Sequence, residues 1–228
     1  MVLMIMENTQ NKKIKIAIID YSAGNIHSVY KAFAKKGVSI EIVNKETELD
    51  VFDAIVLPGV GACGSAMDFL TKVGLTRRLN YYVLELKKPV LGICLGFQIM
   101  TEFSEEGKVK GLGWIPVNVC HIRNVVKSPI RVPHIGWNDV RVYREGMSLL
   151  SGMIENPNFY FAHSYFVPFK EIDGNLGITE YGTSFISSSS KNGISCNAFN
   201  ADSRDITPVL TFADNSTTRQ SKPNFLRA

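Results

Sequence analysis

The stretch with the clearest chemical content is Pro89-Val-Leu-Gly-Ile-Cys-Leu-Gly-Phe-Gln-Ile-Met100, in which Cys94 stands between Gly92 and Gly96. Pro89 to Ile93 is a short apolar run that reads as a buried parallel strand. From Leu95 to Phe103, apolar Leu95, Ile99 and Phe103 recur four apart, at helical spacing. A strand that turns straight into a helix must fold sharply. Small residues two positions to either side of the apex allow this, as in the Gly-x-Ser-x-Gly nucleophile elbow, here with sulfur in place of oxygen. The apex side chain then projects into a cleft beside the first free N–H groups of a helix, and that positive end favours a thiolate. A free thiol has a pKa of about 8.5, so modest help yields a nucleophile near neutrality. A cysteine taken alone is more often a buried structural residue. The paired glycines and the strand-to-helix switch favour the nucleophile.

The elements that must position this cysteine form a regular rhythm. Ile14 to Ile19 is apolar at nearly every position, as in a strand covered on both faces. Asp20 to Asn25 is a loop. A helix follows from Ile26, with Ile26, Val29, Tyr30 and Phe33 on one face and Gly37 as its stop. Ser39 to Val43 and Ala54 to Leu57 read as further strands. After Pro58-Gly-Val-Gly61 comes a helix through about Leu70, then a second from about Thr76 to Leu86. Alternation of this kind predicts an α/β fold of flavodoxin-like type, an open and mostly parallel sheet with helices on both faces. Asp20, the Pro58–Gly61 loop and Cys94 then share the carboxyl edge of the sheet. In the second half, Trp114 to Ile122, Ile130 to Val132, Asn138 to Tyr143 and Phe159 to Val167 read as antiparallel strands extending it.

Length and composition narrow the field. The chain has 228 residues, 45% hydrophobic, with a formal charge of +4 spread over isolated basic pairs. With no basic stripe, nucleic acid is not expected as a partner. The four cysteines, Cys63, Cys94, Cys120 and Cys196, lack Cys-x-x-Cys spacing, so no metal, cofactor or disulfide framework is expected. Met1 to Met6 is apolar but short, and no stretch reaches about 18 apolar residues. A cytoplasmic protein without membrane contact is expected. Residues 1–12 read as a ragged extension, 13–203 as one domain and 204–228 as an irregular tail.

Asp20-Tyr-Ser-Ala-Gly-Asn25, Leu57-Pro-Gly-Val-Gly61, Gly92-Ile-Cys-Leu-Gly-Phe-Gln98, His134-Ile-Gly-Trp-Asn138 and Ala162-His-Ser-Tyr165 together resemble the class I, triad-type glutamine amidotransferases. More narrowly, they resemble the glutaminase subunits of imidazole glycerol phosphate synthase. The likeness runs from about Ile14 to Phe199, with Ser22 where that family usually has glycine. It implies a role for each matching residue. Cys94 attacks the side-chain amide of L-glutamine to give a thioester and ammonia. Leu95 N–H and the Gly59, Val60 and Gly61 loop hold the oxyanion. Gln98, Glu106, Ser164 and Tyr165 bind the amino-acid end of the substrate. Asn25, Trp137 and Asn138 face a (β/α)8 cyclase partner in a heterodimer, and ammonia passes to that barrel in histidine biosynthesis.

The likeness breaks late in the chain. The triad histidine and glutamate of the family fall at Asn200 and Asp202, after Phe199. An asparagine amide takes no proton at neutral pH, so severely weakened hydrolysis is expected. From Arg204 onward the chain carries Pro208 and Pro223 with no helical period, where the family has a closing helix. Alternative readings are an impaired docking or regulatory subunit of the same complex, an ammonia supplier to a paralogous barrel that amidinates a surface sugar, and an unrelated thiol hydrolase on a similar sheet.

Overall fold

Lys15–Ile19 (β1), Ser39–Val43 (β2), Ala54–Leu57 (β3) and Val90–Ile93 (β4) are short strands, and the last two are buried at every position. They lie parallel in the order β2-β1-β3-β4. The computed structural model that shows this describes residues 14–22, 24–34, 38–44, 49–143, 150 and 157–199. Strands this apolar need cover on both faces, and they have it. Helix Ile26–Ala34 (α1) covers one face, setting Val29, Ala32 and Phe33 against Ile16, Ile18, Val56, Leu91 and Ile93. Tyr30, which the spacing assigns to that buried face, is exposed, and Ala32 takes its place. Helices Cys63–Lys72 (α2), Leu75–Asn80 (α3) and Leu95–Met100 (α4) cover the other face, around Ala17, Ile19, Ile55 and Leu57. The helix expected over 76–86 is α3 followed by a wider π-helical turn at Tyr81–Glu85.

The helix expected from Leu95 to Phe103 stops at Met100, and Thr101–Ser104 is a strand (β5). The cause is local. Thr101 is β-branched, and its hydroxyl donates back to the Gln98 carbonyl at 2.7 Å. The carbonyls of Ile99, Met100 and Thr101 accept from the amides of Leu112, Trp114 and Gly113 rather than from a further helical turn. Strand β5 instead joins a second sheet with Val109–Lys110 (β6) and Ile115–His121 (β7). The one-turn helix Ile122–Val125 (α5) follows.

The second half departs further from expectation. Ile130 to Val132 is not a strand. The run around Asn138 to Tyr143 is two pieces, His134–Asp139 (β8) and Arg141–Val142 (β9). The run Phe159 to Val167 is likewise split, into Asn158–His163 (β10) and Tyr165–Phe166 (β11), with Ser164 at the bend. Strand β10 pairs antiparallel with β8, while β11 pairs with β7, so the chain changes sheets at Ser164. The main sheet is extended by Asn175–Glu180 (β12), Ser184–Lys191 (β13) and Ile194–Asn197 (β14), in the order β4-β14-β13-β12-β9. Strand β14 is parallel to β4 and the rest are antiparallel. The antiparallel extension is therefore present, but β9 supplies only its outermost strand and the segments 115–121 and 158–166 build separate sheets. Phe159, Phe161, Phe166, Phe185 and Phe199 form an aromatic core between β8, β10 and β13, with Phe159 stacked on Phe199 at 3.9 Å.

Residues 1–12, Gly37, Asn200, Asp202 and 204–228 lie outside the described residues. No helix among the described residues is long and apolar enough to cross a membrane.

Candidate active site

Cys94 occupies the gap between β4 and α4 with φ 49° and ψ −103°. A non-glycine residue held there stores strain of order 1–3 kcal/mol, and the neighbours hold it. The Cys94 N–H donates to the Asn197 carbonyl of β14 at 2.8 Å, and its carbonyl accepts from Gln98 N–H at 3.2 Å. The flanking glycines have a second purpose beyond the turn. A Cβ on Gly96 would lie 1.8 Å from the Leu57 carbonyl oxygen, and one on Gly92 would lie 2.3 Å from Met100 Sδ. Helix α4 thus sits directly on the backbone of β3 and β4, which aims Cys94 outward.

The cysteine opens into a cleft of about 230 Å³. Val60, Gly61, Leu95, Gln98 and Glu106 form one side with it, and Ala162, His163, Ser164 and Tyr165 form the other. Glu106 is held by the start of α2, its Oε2 accepting from Cys63 N–H at 2.9 Å. A carboxylate is well placed at a helix N-terminus, and this one also lines the cleft rather than standing free in solvent. Ser164 and Tyr165 reach the cleft because the chain bends there, with Ser164 O accepting from Ile122 N–H at 3.0 Å.

Two details differ from the sequence-based expectation. The helix start does not yield a low thiol pKa. Burial pushes Cys94 up to about 11, the Leu95 amide pulls against this, and the nearby Glu106 carboxylate adds to the rise. A helix of barely two turns cannot offset that loss of water. The Pro58–Gly61 loop, moreover, presents a carbonyl to the elbow, since Gly59 O accepts from Leu95 N–H at 3.4 Å. Val60 O accepts from Gly24 N–H at 3.0 Å, and the buried Tyr21 hydroxyl donates to Pro58 O. Gly59 thus holds the Leu95 donor and does not line the cleft.

The residues expected at an interface lie elsewhere. Ile135 and Trp137 project from β8 and are 61% and 47% exposed. The Trp137 ring meets Tyr160 edge-on at 5.8 Å, so this tryptophan is a surface residue and not a core one. Asn138 is half-buried, donating to Glu180 O at 3.0 Å. Asn25 has φ 72° at the start of α1, where its carbonyl accepts from Ser28 N–H at 3.2 Å. Asn200 and Asp202 are not described. Among the described residues no cluster of His, Cys, Asp and Glu is arranged to hold a metal ion.

Residue spacing left out two participants. Asn197 acts through its backbone carbonyl, which no side-chain pattern reports. His163 was readable. It follows Phe159 and Phe161 at alternate positions of β10, and all three point inward.

A strained cysteine at a strand-to-helix elbow on an open, mostly parallel sheet defines a nucleophile-elbow α/β protein. Within that class, residues 17–198 match the model of the family Glutamine amidotransferase class-I, and the chain belongs to that family. It is 40% identical over 179 residues to imidazole glycerol phosphate synthase subunit HisH 2 of Methanococcus maripaludis, covering 78% of this chain and 87% of that one. It is 42% identical over 188 residues to subunit HisH of Methanocaldococcus jannaschii, covering 82% and 91%. Among solved structures, a glutamine amidotransferase shares the fold with a TM-score of 0.68 at 14% identity, covering 89% of this chain and 98% of that one. The structure of PurLQS from Thermotoga maritima does so with a TM-score of 0.64 at 16% identity, covering 92% and 100%.

Proposed function

We propose that this chain is the glutaminase subunit of an imidazole glycerol phosphate synthase, with its own glutamine hydrolysis strongly weakened. The observation that carries the first half is convergence. Cys94, Gln98, Glu106, Ser164 and Tyr165 come from α4 and three separate loops or bends, yet line one cleft. The relatives carry the name HisH and match over most of both chains.

Cys94 Sγ adds to the side-chain amide carbon of glutamine, the C–N bond breaks, and the nitrogen leaves as ammonia with the thiol proton. Water then cleaves the γ-glutamyl thioester to glutamate. Gln98, Ser164 and Tyr165 hold the amino-acid end, and Glu106 pairs with its ammonium. The oxyanion needs the Leu95 and Val60 amides, so the Gly59–Val60 peptide must turn over to release the first and present the second. Glycine at 59 makes that rotation accessible. Ammonia passes to a (β/α)8 cyclase that docks on Asn25, Trp137 and Asn138. An exposed tryptophan beside Ile135 suits an interface anchor.

The weakened step is the proton transfer. A thiol pushed up to about 11 is ionised to roughly one part in ten thousand at pH 7. The position that should hold the base is Asn200, and the family match ends at residue 198. Losing the base of a triad costs on the order of 10⁶ in a well-studied serine case. These two facts favour a second reading within the same complex, in which the chain docks and shapes the ammonia entrance while free ammonia is the nitrogen donor.

Glutamate release from glutamine, measured with the cyclase of the same organism beside a Cys94→Ala control, separates the two. Slow release that disappears in the control supports the weakened glutaminase. Release equal to the control, with the complex intact, supports docking alone. Failure to form the complex at all contradicts both.

A further inference from the structure

A hydrogen-bond chain runs from β8 to the cleft through two histidines. His163 Nδ1 lies 2.8 Å from the carbonyl of Tyr165. A carbonyl only accepts, so Nδ1 carries the proton. His163 Nε2 lies 3.0 Å from His134 Nδ1. Both rings are buried, and burial pulls both toward about 4, so both are neutral near pH 7. In a neutral His163 the second nitrogen must accept, and His134 Nδ1 must therefore donate. His134 Nε2 is then an acceptor, facing Asn138 Nδ2 at 3.4 Å. The Asn138 amide is oriented by Asp139 N–H, which donates to its Oδ1 at 2.8 Å. One set of tautomers satisfies every link, and the chain runs one way, from Asn138 through His134 and His163 to Tyr165 O.

Packing fixes the rings as firmly as the hydrogen bonds. His134 is stacked between Tyr181, at 3.8 Å, and Phe161, at 4.9 Å. His163 meets Phe161 and Phe185 edge-on. The bond to Tyr165 O spans the bend at Ser164, where the chain leaves its pairing with β8 and joins β7. That bend presents Ser164 and Tyr165 to the cleft. Because Nε2 of His163 is occupied by His134, His163 lines the cleft as a clamp and not as a spare base.

We propose that His134 and His163 are positioning residues that lock the Ser164 bend, so that β8 sets the geometry of the amino-acid end of the substrate site. The inference rests on the glutamine-site reading above. It predicts a binding defect without a reactivity defect. The probe is a chloroketone analogue of glutamine, used on the full chain. Saturable alkylation of Cys94, followed by mass spectrometry, gives a half-saturating concentration and a limiting rate. Iodoacetamide gives thiol reactivity independent of substrate recognition.

His163→Phe removes both bonds and is expected to raise the half-saturating concentration about tenfold, the loss of roughly one net hydrogen bond and its geometry. The limiting rate and the iodoacetamide rate should stay within about twofold on that account. His163→Asn keeps a donor at the Nδ1 position and should recover most of the affinity. Should His163→Phe not fold, the paired variants at 134 decide. His134→Asn keeps the donor toward His163 and His134→Phe keeps only the stacking, so the second should bind more weakly than the first. Equal affinity in His163→Phe and the parent chain, or in the two 134 variants, overturns the proposal. A parent chain whose alkylation by the chloroketone does not saturate overturns the glutamine reading, and this inference with it.

Discussion

At Cys94 the local geometry and the local electrostatics pull in different directions. The elbow aims the sulfur into the cleft, while burial holds the proton on it. A specific pH profile is therefore expected for alkylation of Cys94 by iodoacetamide. The rate should rise about tenfold per pH unit from 7 to about 10 and level off only near 11. A plateau near the ordinary thiol range of about 8.5 would show that the helix start prevails after all. The buried histidines make a second residue-scale prediction. Both have pKa values lowered from 6.5 to about 4 by burial. Between those limits the unfolded chain binds protons that the folded chain excludes, so stability falls as pH drops through this window and is unaffected by these groups above it. Denaturant midpoints at pH 7 and pH 4.5 measure the loss, and His163→Asn should reduce the difference. Ser22 carries a smaller cost, since it holds φ 62° with its N–H bonded to Asp20 Oδ1 at 3.0 Å. Ser22→Gly should stabilise the chain by about 0.5–1 kcal/mol, read as a shift in the same midpoint.

At the scale of elements, the contact of α4 with β3, at Gly96, leaves less room than any other glycine contact among the described residues. Gly96→Ala places a methyl on the Leu57 carbonyl and should cost about 3 kcal/mol or more, measured by denaturant unfolding. The elements of the first half were legible because each is doubly covered. Ile14 to Ile19, Ala54 to Leu57 and Pro89 to Ile93 announce themselves by unbroken apolar runs, and the structure places strands there within a residue or so. The end of α4 was not legible, because Leu95, Ile99 and Phe103 keep helical spacing while Thr101 and the crossing segment 112–114 stop the helix. Strand β13 was hidden by composition. Ser187 to Ser190 reads as a polar run, yet Ser187, Ser188 and Ser189 are buried because β12 and β14 flank them. The candidate site was legible where side chains carry it. Cys94, Gln98, Glu106, Ser164 and Tyr165 meet in one cleft. The backbone contact of Asn197 was not, since the sheet order that brings β14 beside β4 is not written in any local pattern.

For the whole molecule, the cleft and the exposed ridge of β8 lie on one continuous piece of structure. Strand β10 pairs with β8 over Asn158 to His163 and ends at the bend that lines the cleft. The proposed docking at Trp137 and the proposed glutamine contacts of Ser164 and Tyr165 would therefore share a support. Trp137→Ala should weaken association with the cyclase by tenfold or more in a titration, the usual cost of a buried aromatic anchor being about 2 kcal/mol or more. Cys94→Ala should leave that association unchanged. We propose that residues 14–199 keep the amidotransferase scaffold and that the base is lost at Asn200, with Asp202 at the position of the triad glutamate. This central claim is tested most directly by glutamate release from glutamine in the complex, comparing the parent chain with Asn200→His. The expected result is a gain of several orders of magnitude that vanishes when Cys94→Ala is added. No gain, in a variant that folds and still binds the cyclase, would contradict it.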